Sequence, residues 1–255
     1  MKQFILSILC LFTFCFCSDI DKYMDKAEEA RNSLNYTDAI YYYEKVLSLD
    51  ENNIWAKRQL GYIYILSMPT QVKLLKATEY LFSIDEDYYP KDYLLLGIGL
   101  FKVRTFFIEN DETYQQMLNA SIENLSDFLE IYESAEEVFS IDELEEWKRA
   151  FGLNHHLQAM AYRFLGNCYN SKFDWWTAKT YFEKCIEINP KDTESLLKLG
   201  EYYCLWHGML SENESYTEKT KRKAQALKFL TSLEQMGASS QYNQLKELID
   251  SSFEY

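Results

Sequence analysis

Four Leu-Gly pairs, Leu60-Gly61, Leu96-Gly97, Leu165-Gly166 and Leu199-Gly200, take half of the eight glycines in this 255-residue chain. Three residues after each glycine stands a large apolar or aromatic side chain: Tyr64, Leu100, Tyr169 or Tyr203. A motif recurring in this way marks one structural unit used several times, and so constrains the whole architecture. Glycine at a fixed place on each unit means that two helix axes approach too closely there for a bulkier residue. The larger neighbours fill the flanks and bury one face of each helix.

Around the third pair a longer pattern is present: Tyr162-x2-Leu165-Gly166-x2-Tyr169, then Ala178-x3-Phe182, then Pro190. Position by position this resembles the tetratricopeptide repeat (TPR). The resemblance implies an all-α, TPR-like solenoid of about five helical hairpins closed by a C-terminal capping helix. A single hairpin cannot bury its apolar face alone, so consecutive hairpins must stack.

Laid over the chain, the pattern places repeats at approximately 20–53, 54–89, 90–133, 159–192 and 193–236, and the capping helix at approximately 239–253, within a domain of residues 18–255. The first repeat has Ala27 and Ala39 at the small positions and no Leu-Gly pair. Pro69 lengthens the turn of the second, since proline ends a helix. The third and fifth hairpins are elongated, with Ser121 and Ala226 at the small positions of their second helices. An acidic insertion, Ser140 to Arg149, separates the third repeat from the fourth.

Residues 1–17 carry one charge, Lys2, ahead of the apolar run from Phe4 to Phe16. The run is shorter than the ~20 residues of a membrane span, so it reads as a signal peptide. Cys17 is a candidate lipidation site, although Phe16 stands where a lipoprotein signal has a small residue. The expected location is therefore the periplasm or cell envelope, soluble or lipid-anchored. Removing the leader leaves 25 basic against 40 acidic residues, a formal charge of −15. Such a balance argues against nucleic acid as a partner. Cys168, Cys185 and Cys204 remain, an odd number that cannot be fully paired; they read as small core residues, with one disulfide as the alternative.

No catalytic or cofactor-binding constellation stands out, and no metal site is expected: adjacent residues on a helix diverge by about 100°, so His155 and His156 would not chelate together. The expected function is non-enzymatic binding of a protein or peptide. The resemblance implies a concave face made by the first helix of each hairpin, which maps to Arg58, Tyr62, Lys91, Arg163, Asn167 and Lys198. The alternative is a ligand-binding accessory of a solute transporter, with an apolar pocket in the solenoid around Phe101, Phe106 and Phe107. Oligomeric state is left open.

Overall fold

The computed structural model describes residues 19–84, 88–108, 111–150, 153–206 and 215–253. The leader expected over residues 1–17, with Cys17, lies outside them. The described residues form twelve helices and divide into two compact units at Met117/Leu118.

The first unit begins with α1 (19–32) and α2 (Tyr36–Leu49), followed by α3 (Ile54–Leu66), α4 (Gln71–Phe82) and α5 (Pro90–Val103). Most starts are written in the sequence as capping residues. Asn35, Asn53 and Thr70 each accept a hydrogen bond from a backbone N–H of the first turn, and Pro90 opens α5, where its missing N–H costs nothing. Pro69 falls in the turn between α3 and α4, as expected. Helix α2 buries Ala39, Tyr43 and Val46, one stripe at helical spacing. Helices α3 and α4 pack as a hairpin, and α5 packs on both. A Cβ on Gly61 would lie 3.0 Å from Leu81 of α4, which is the close approach read from the Leu-Gly pair. In α5 a second glycine, Gly99, is also in tight contact: a Cβ there would meet Thr78 and Ile65 at 3.0 and 3.1 Å.

Helix α6 (Glu112–Val138) starts in the first unit and continues into the second, running five residues past the expected end of the third repeat. The acidic insertion is itself a helix, α7 (Ile141–Ala150). Then come α8 (His155–Ser171), α9 (Trp175–Ile188), α10 (Thr193–Glu201), α11 (Tyr216–Gln235) and α12 (Ser239–Phe253). Within the second unit α6 lies against α8. The buried Ser121 hydroxyl is 3.4 Å from the Cys168 sulfur, and the Tyr162 hydroxyl donates to Glu133.

The α8/α9 hairpin follows the sequence reading most closely. Phe182 lies across Gly166, and an added Cβ would stand 2.6–2.9 Å from its ring. The Tyr181 ring stacks on Tyr169 at 5.5 Å and on Tyr162 at 6.2 Å. The fourth Leu-Gly pair behaves differently. Gly200 is met by Leu245 of α12, with a Cβ only 2.5 Å from its side chain, so the capping helix takes the close-approach position at that glycine. Helix α11 begins at Tyr216 behind a Ser215 capping box and still packs on α10.

Between α10 and α11 the chain widens into a π-turn, Tyr202–Trp206. Such a turn breaks the regular backbone ladder and leaves carbonyls to be satisfied elsewhere. Arg222, 7% exposed, does so by donating from Nη1 to the Tyr203 and Cys204 carbonyls at 2.7 and 3.2 Å. Cys168, Cys185 and Cys204 are buried free thiols, so the core reading holds over the disulfide. Burial pushes Cys185 up to about 11 and Cys204 up to about 12, which keeps both protonated and unreactive.

Candidate functional site

The six residues mapped to the first-helix face do not share one environment. Arg58 is 3% exposed, and its Nε donates to both oxygens of Asp92 at 3.1 and 3.0 Å. Its guanidinium also lies 3.8 Å from the centre of the Tyr89 ring. The Tyr62 hydroxyl donates to the same carboxylate at 2.7 Å, and the Tyr89 N–H does so at 2.7 Å. Asp92 is fully buried, and these donors satisfy it.

In the second unit Arg163 is bridged to Asp192 at 3.2 Å and to Glu194 at 3.5 Å, while Asn167 donates to Glu194 at 2.6 Å. Lys198 is paired with Glu201 at 2.7 Å. Arg58 and Asn167 are turned toward neighbours within the chain. Both are buried, and the groups expected to grip a partner hold a carboxylate of the next first helix instead. A cation at a first-helix position looks the same in sequence whether it faces solvent or an acid from the next repeat. Asp92, Asp192 and Glu194 were the missing half of the pattern. They stand 27 to 34 residues after their donors, a spacing near one repeat that could have revealed them.

A third such link ties α1 to α2 and α3. Glu28 accepts from the Tyr43 hydroxyl at 2.6 Å, from the Trp55 indole N–H at 2.8 Å and from Arg31 at 2.5 Å. Burial alone would raise its carboxyl, but the hydrogen bonds from Tyr43 and Trp55 and the Arg31 charge outweigh it and hold Glu28 below its ordinary 4.5. A depressed carboxyl contributes stability that is present above the unfolded value and lost as pH falls through the folded one. Glu28→Gln is therefore expected to lower the melting temperature at pH 7 and to have a much smaller effect at pH 3. Equal losses at both pH values in thermal melts would show that the charge is not what Glu28 contributes.

Tyr62 and Lys91 line a small cleft of ≈ 130 Å³ within the first unit. Its walls come from the end of α1 (Arg31), the start of α2 (Tyr36), one side of α3 (Gln59, Ile63, Leu66), the cap Ser67 and the first turn of α5. None of the residues lining it is acidic. The Lys91 ammonium lies 4.9 Å from the centre of the Tyr62 ring. Burial and then the Arg31 charge hold it below the usual lysine range, opposed in part by Asp92. Among the described residues Lys91 is in no ion pair. The sequence singled out two residues of this cleft; Arg31 and Tyr36, at the tip of the first hairpin, were not legible as part of it.

The aromatic cluster expected to line a transporter-type pocket is differently arranged. The Arg104 guanidinium lies 3.5 Å from the centre of the Phe101 ring and 5.5 Å from that of Tyr114, so a face of Phe101 is already covered by a cation. Phe106 is 38% exposed.

No protein-family model and no curated protein matches the sequence. Among solved structures the chain is similar to two described as crystal structures of MamA. The first is 22% identical, with a TM-score of 0.53 over 85% of this chain and 94% of that one. The second is 23% identical, with a TM-score of 0.50 over 84% and 96%. A structure from a functional characterization of Pseudomonas aeruginosa pilF covers 92% of both chains at 12% identity and a TM-score of 0.49. The likeness to the MamA structures, together with the paired helices, shows an all-α TPR-like fold.

Proposed function

We propose that this protein is a non-catalytic scaffold that holds a segment of a protein partner in the cleft of the first unit. The observation that carries the reading is the cleft itself: ≈ 130 Å³, bordered by polar donors and by Ile63 and Leu66, and containing Lys91, which is in no ion pair among the described residues. The fold supports binding by analogy alone. The three thiols are buried, Cys185 and Cys204 are held protonated, and His155 and His156 are exposed on the first turn of α8, so these groups lend no support to nucleophilic chemistry. The apolar run Phe4 to Phe16 supports export to the envelope or secretory pathway, and Cys17 stays the candidate point of lipid attachment.

Position-specific crosslinking tests the reading. Leu66 is 44% exposed on the cleft wall, and Val72, 74% exposed on α4, does not line the cleft. A photoreactive residue at position 66 should give one defined protein adduct in cells producing the full chain, and the same probe at position 72 should not. Equal labelling at both sites, or none at 66, would remove the cleft as the partner site.

A further inference from the structure

We propose that the outer face of α11 is a docking surface for an anionic lipid bilayer, with lysines answering the headgroups and a neutral stripe between them resting at the membrane interface. This face belongs to the second unit and is independent of the cleft, so it would bring the protein to a membrane whatever segment the cleft receives.

Helix α11 reverses the sign of the chain. Acidic residues outnumber basic ones 40 to 26 overall, yet α11 carries Lys219, Lys221, Arg222, Lys223 and Lys228 against Glu218 and Glu234. Glu218 is occupied at the helix start, where its carboxylate accepts from the Ser215 N–H and hydroxyl. Counting Glu212 and Glu214, which precede the helix outside the described residues, basic residues still outnumber acidic ones. The inner side of the helix buries Arg222, Ala226, Phe229 and Leu233. At about 100° per residue, Tyr216, Leu227, Thr220, Thr231 and Ala224 then fall along the middle of the opposite side, with Lys219 and Lys223 on one edge and Lys221 and Lys228 on the other. Tyr216 is 87% exposed and Leu227 41%. The two threonines give their hydroxyl protons to the backbone one turn back, Thr220 to the Tyr216 carbonyl at 2.8 Å and Thr231 to that of Leu227 at 3.0 Å. Neither therefore needs an acceptor from outside.

Lysines flanking an aromatic and aliphatic stripe suit a helix lying in an interface, where long stems let the ammonium groups reach the headgroups. The choice of cation favours lipid over an acidic protein. Lysine's compact charge fits a diffuse anionic surface, whereas protein interfaces are poor in lysine and rich in the planar arginine fork. The one arginine of α11 is buried and holds the Tyr203 and Cys204 carbonyls. Among the described residues no helix is long and apolar enough to cross a membrane, so contact through α11 is peripheral. The formal charge of −14 opposes approach to an anionic surface, but charges farther away than a Debye length of ~10 Å are screened, and the face presented decides.

The test uses the full chain with an environment-sensitive fluorescent amino acid at position 227, or at position 75 on α4, where Leu75 is 42% exposed. Vesicles of phosphatidylcholine alone, or of phosphatidylcholine and phosphatidylglycerol in equal parts, are added to each. The probe at 227 should shift to the blue with the anionic vesicles only, the shift should vanish in molar salt, and the probe at 75 should not respond. Insertion of the apolar run Phe4 to Phe16 would neither require anionic lipid nor yield to salt, so the two are distinguished. The variant Lys221→Gln/Lys223→Gln/Lys228→Gln should bind about fivefold more weakly per lysine, roughly a hundredfold in all, and the matching arginine variant should bind as the wild type does. An equal response at 227 and 75, a response to neutral vesicles, a shift that survives salt, or a glutamine variant binding like the wild type would each overturn the proposal. Soluble polyglutamate shifting the probe at 227 as far as the anionic vesicles do would assign the face to an acidic protein and overturn the commitment to lipid.

Discussion

Replacing Asp92 by alanine is expected to be the most damaging single change, costing about 3–5 kcal/mol. The carboxylate is fully buried and holds Arg58, itself 3% exposed, together with the Tyr62 hydroxyl and the Tyr89 N–H. Its removal takes from a buried guanidinium the carboxylate that answers it, and that loss outweighs the broken hydrogen bonds of Tyr62 and Tyr89. Chemical denaturation of Asp92→Ala and of the double variant Arg58→Met/Asp92→Leu separates the two contributions. The double variant should recover most of the stability, because an apolar pair of similar volume replaces the ions. If it is as unstable as Asp92→Ala, the destabilisation comes from the Tyr62 and Tyr89 hydrogen bonds and not from the loss of the carboxylate facing Arg58.

Gly166→Leu should be nearly as severe, at about 3 kcal/mol, a fall of roughly 6–12 °C in a chain of this size. Even the first added carbon would stand 2.6–2.9 Å from the ring of Phe182, which is 3% exposed and has little room to move aside. Gly237→Ala is the control. Gly237 has φ +67 and nothing within 4 Å of an added Cβ, so only backbone strain of about 1–2 kcal/mol applies. Thermal melting followed by circular dichroism reads both. Adding Phe182→Ala to Gly166→Leu should restore part of the stability, and a Gly166→Leu protein melting with the wild type would deny the close approach at this hairpin.

The hairpin most legible in the sequence is the one whose contacts depend on residues in a fixed local phase. Gly166, Ala178 and Phe182 lie within seventeen residues, and the structure brings Phe182 onto Gly166 as their spacing requires. Gly200 shows the limit of that reading. Its pattern is as clear, yet its neighbour is Leu245, 45 residues on, because nothing in a local motif says which later helix will fill the space. Gly99 shows another: it belongs to no Leu-Gly pair, yet Ile65 and Thr78 press on it as Leu81 presses on Gly61. The candidate site was legible in fragments for a related reason. Lys91 and Tyr62 follow from the first-helix phase, whereas Arg31 and Tyr36 reach the cleft from the ends of their helices, where the phase argument fades. Arg58, chosen by the same rule as Lys91, differs from it because Asp92 forms an ion pair with one and not with the other.

The links between successive first helices also bear on how such a chain could be rebuilt. The link from α1 to α3 runs from an acid on the earlier helix, Glu28, to a donor on the later one, Trp55. The link from α3 to α5 has the opposite sense, with Arg58 and Tyr62 giving to Asp92, and so does the link from α8 to α10. The repeats are thus alike in backbone but carry directional chemical ends. Deleting the repeat of α3 would set Glu28 of α1 against Asp92 of α5, acid to acid, so the order of these hairpins is a property of their polar edges as much as of their apolar cores.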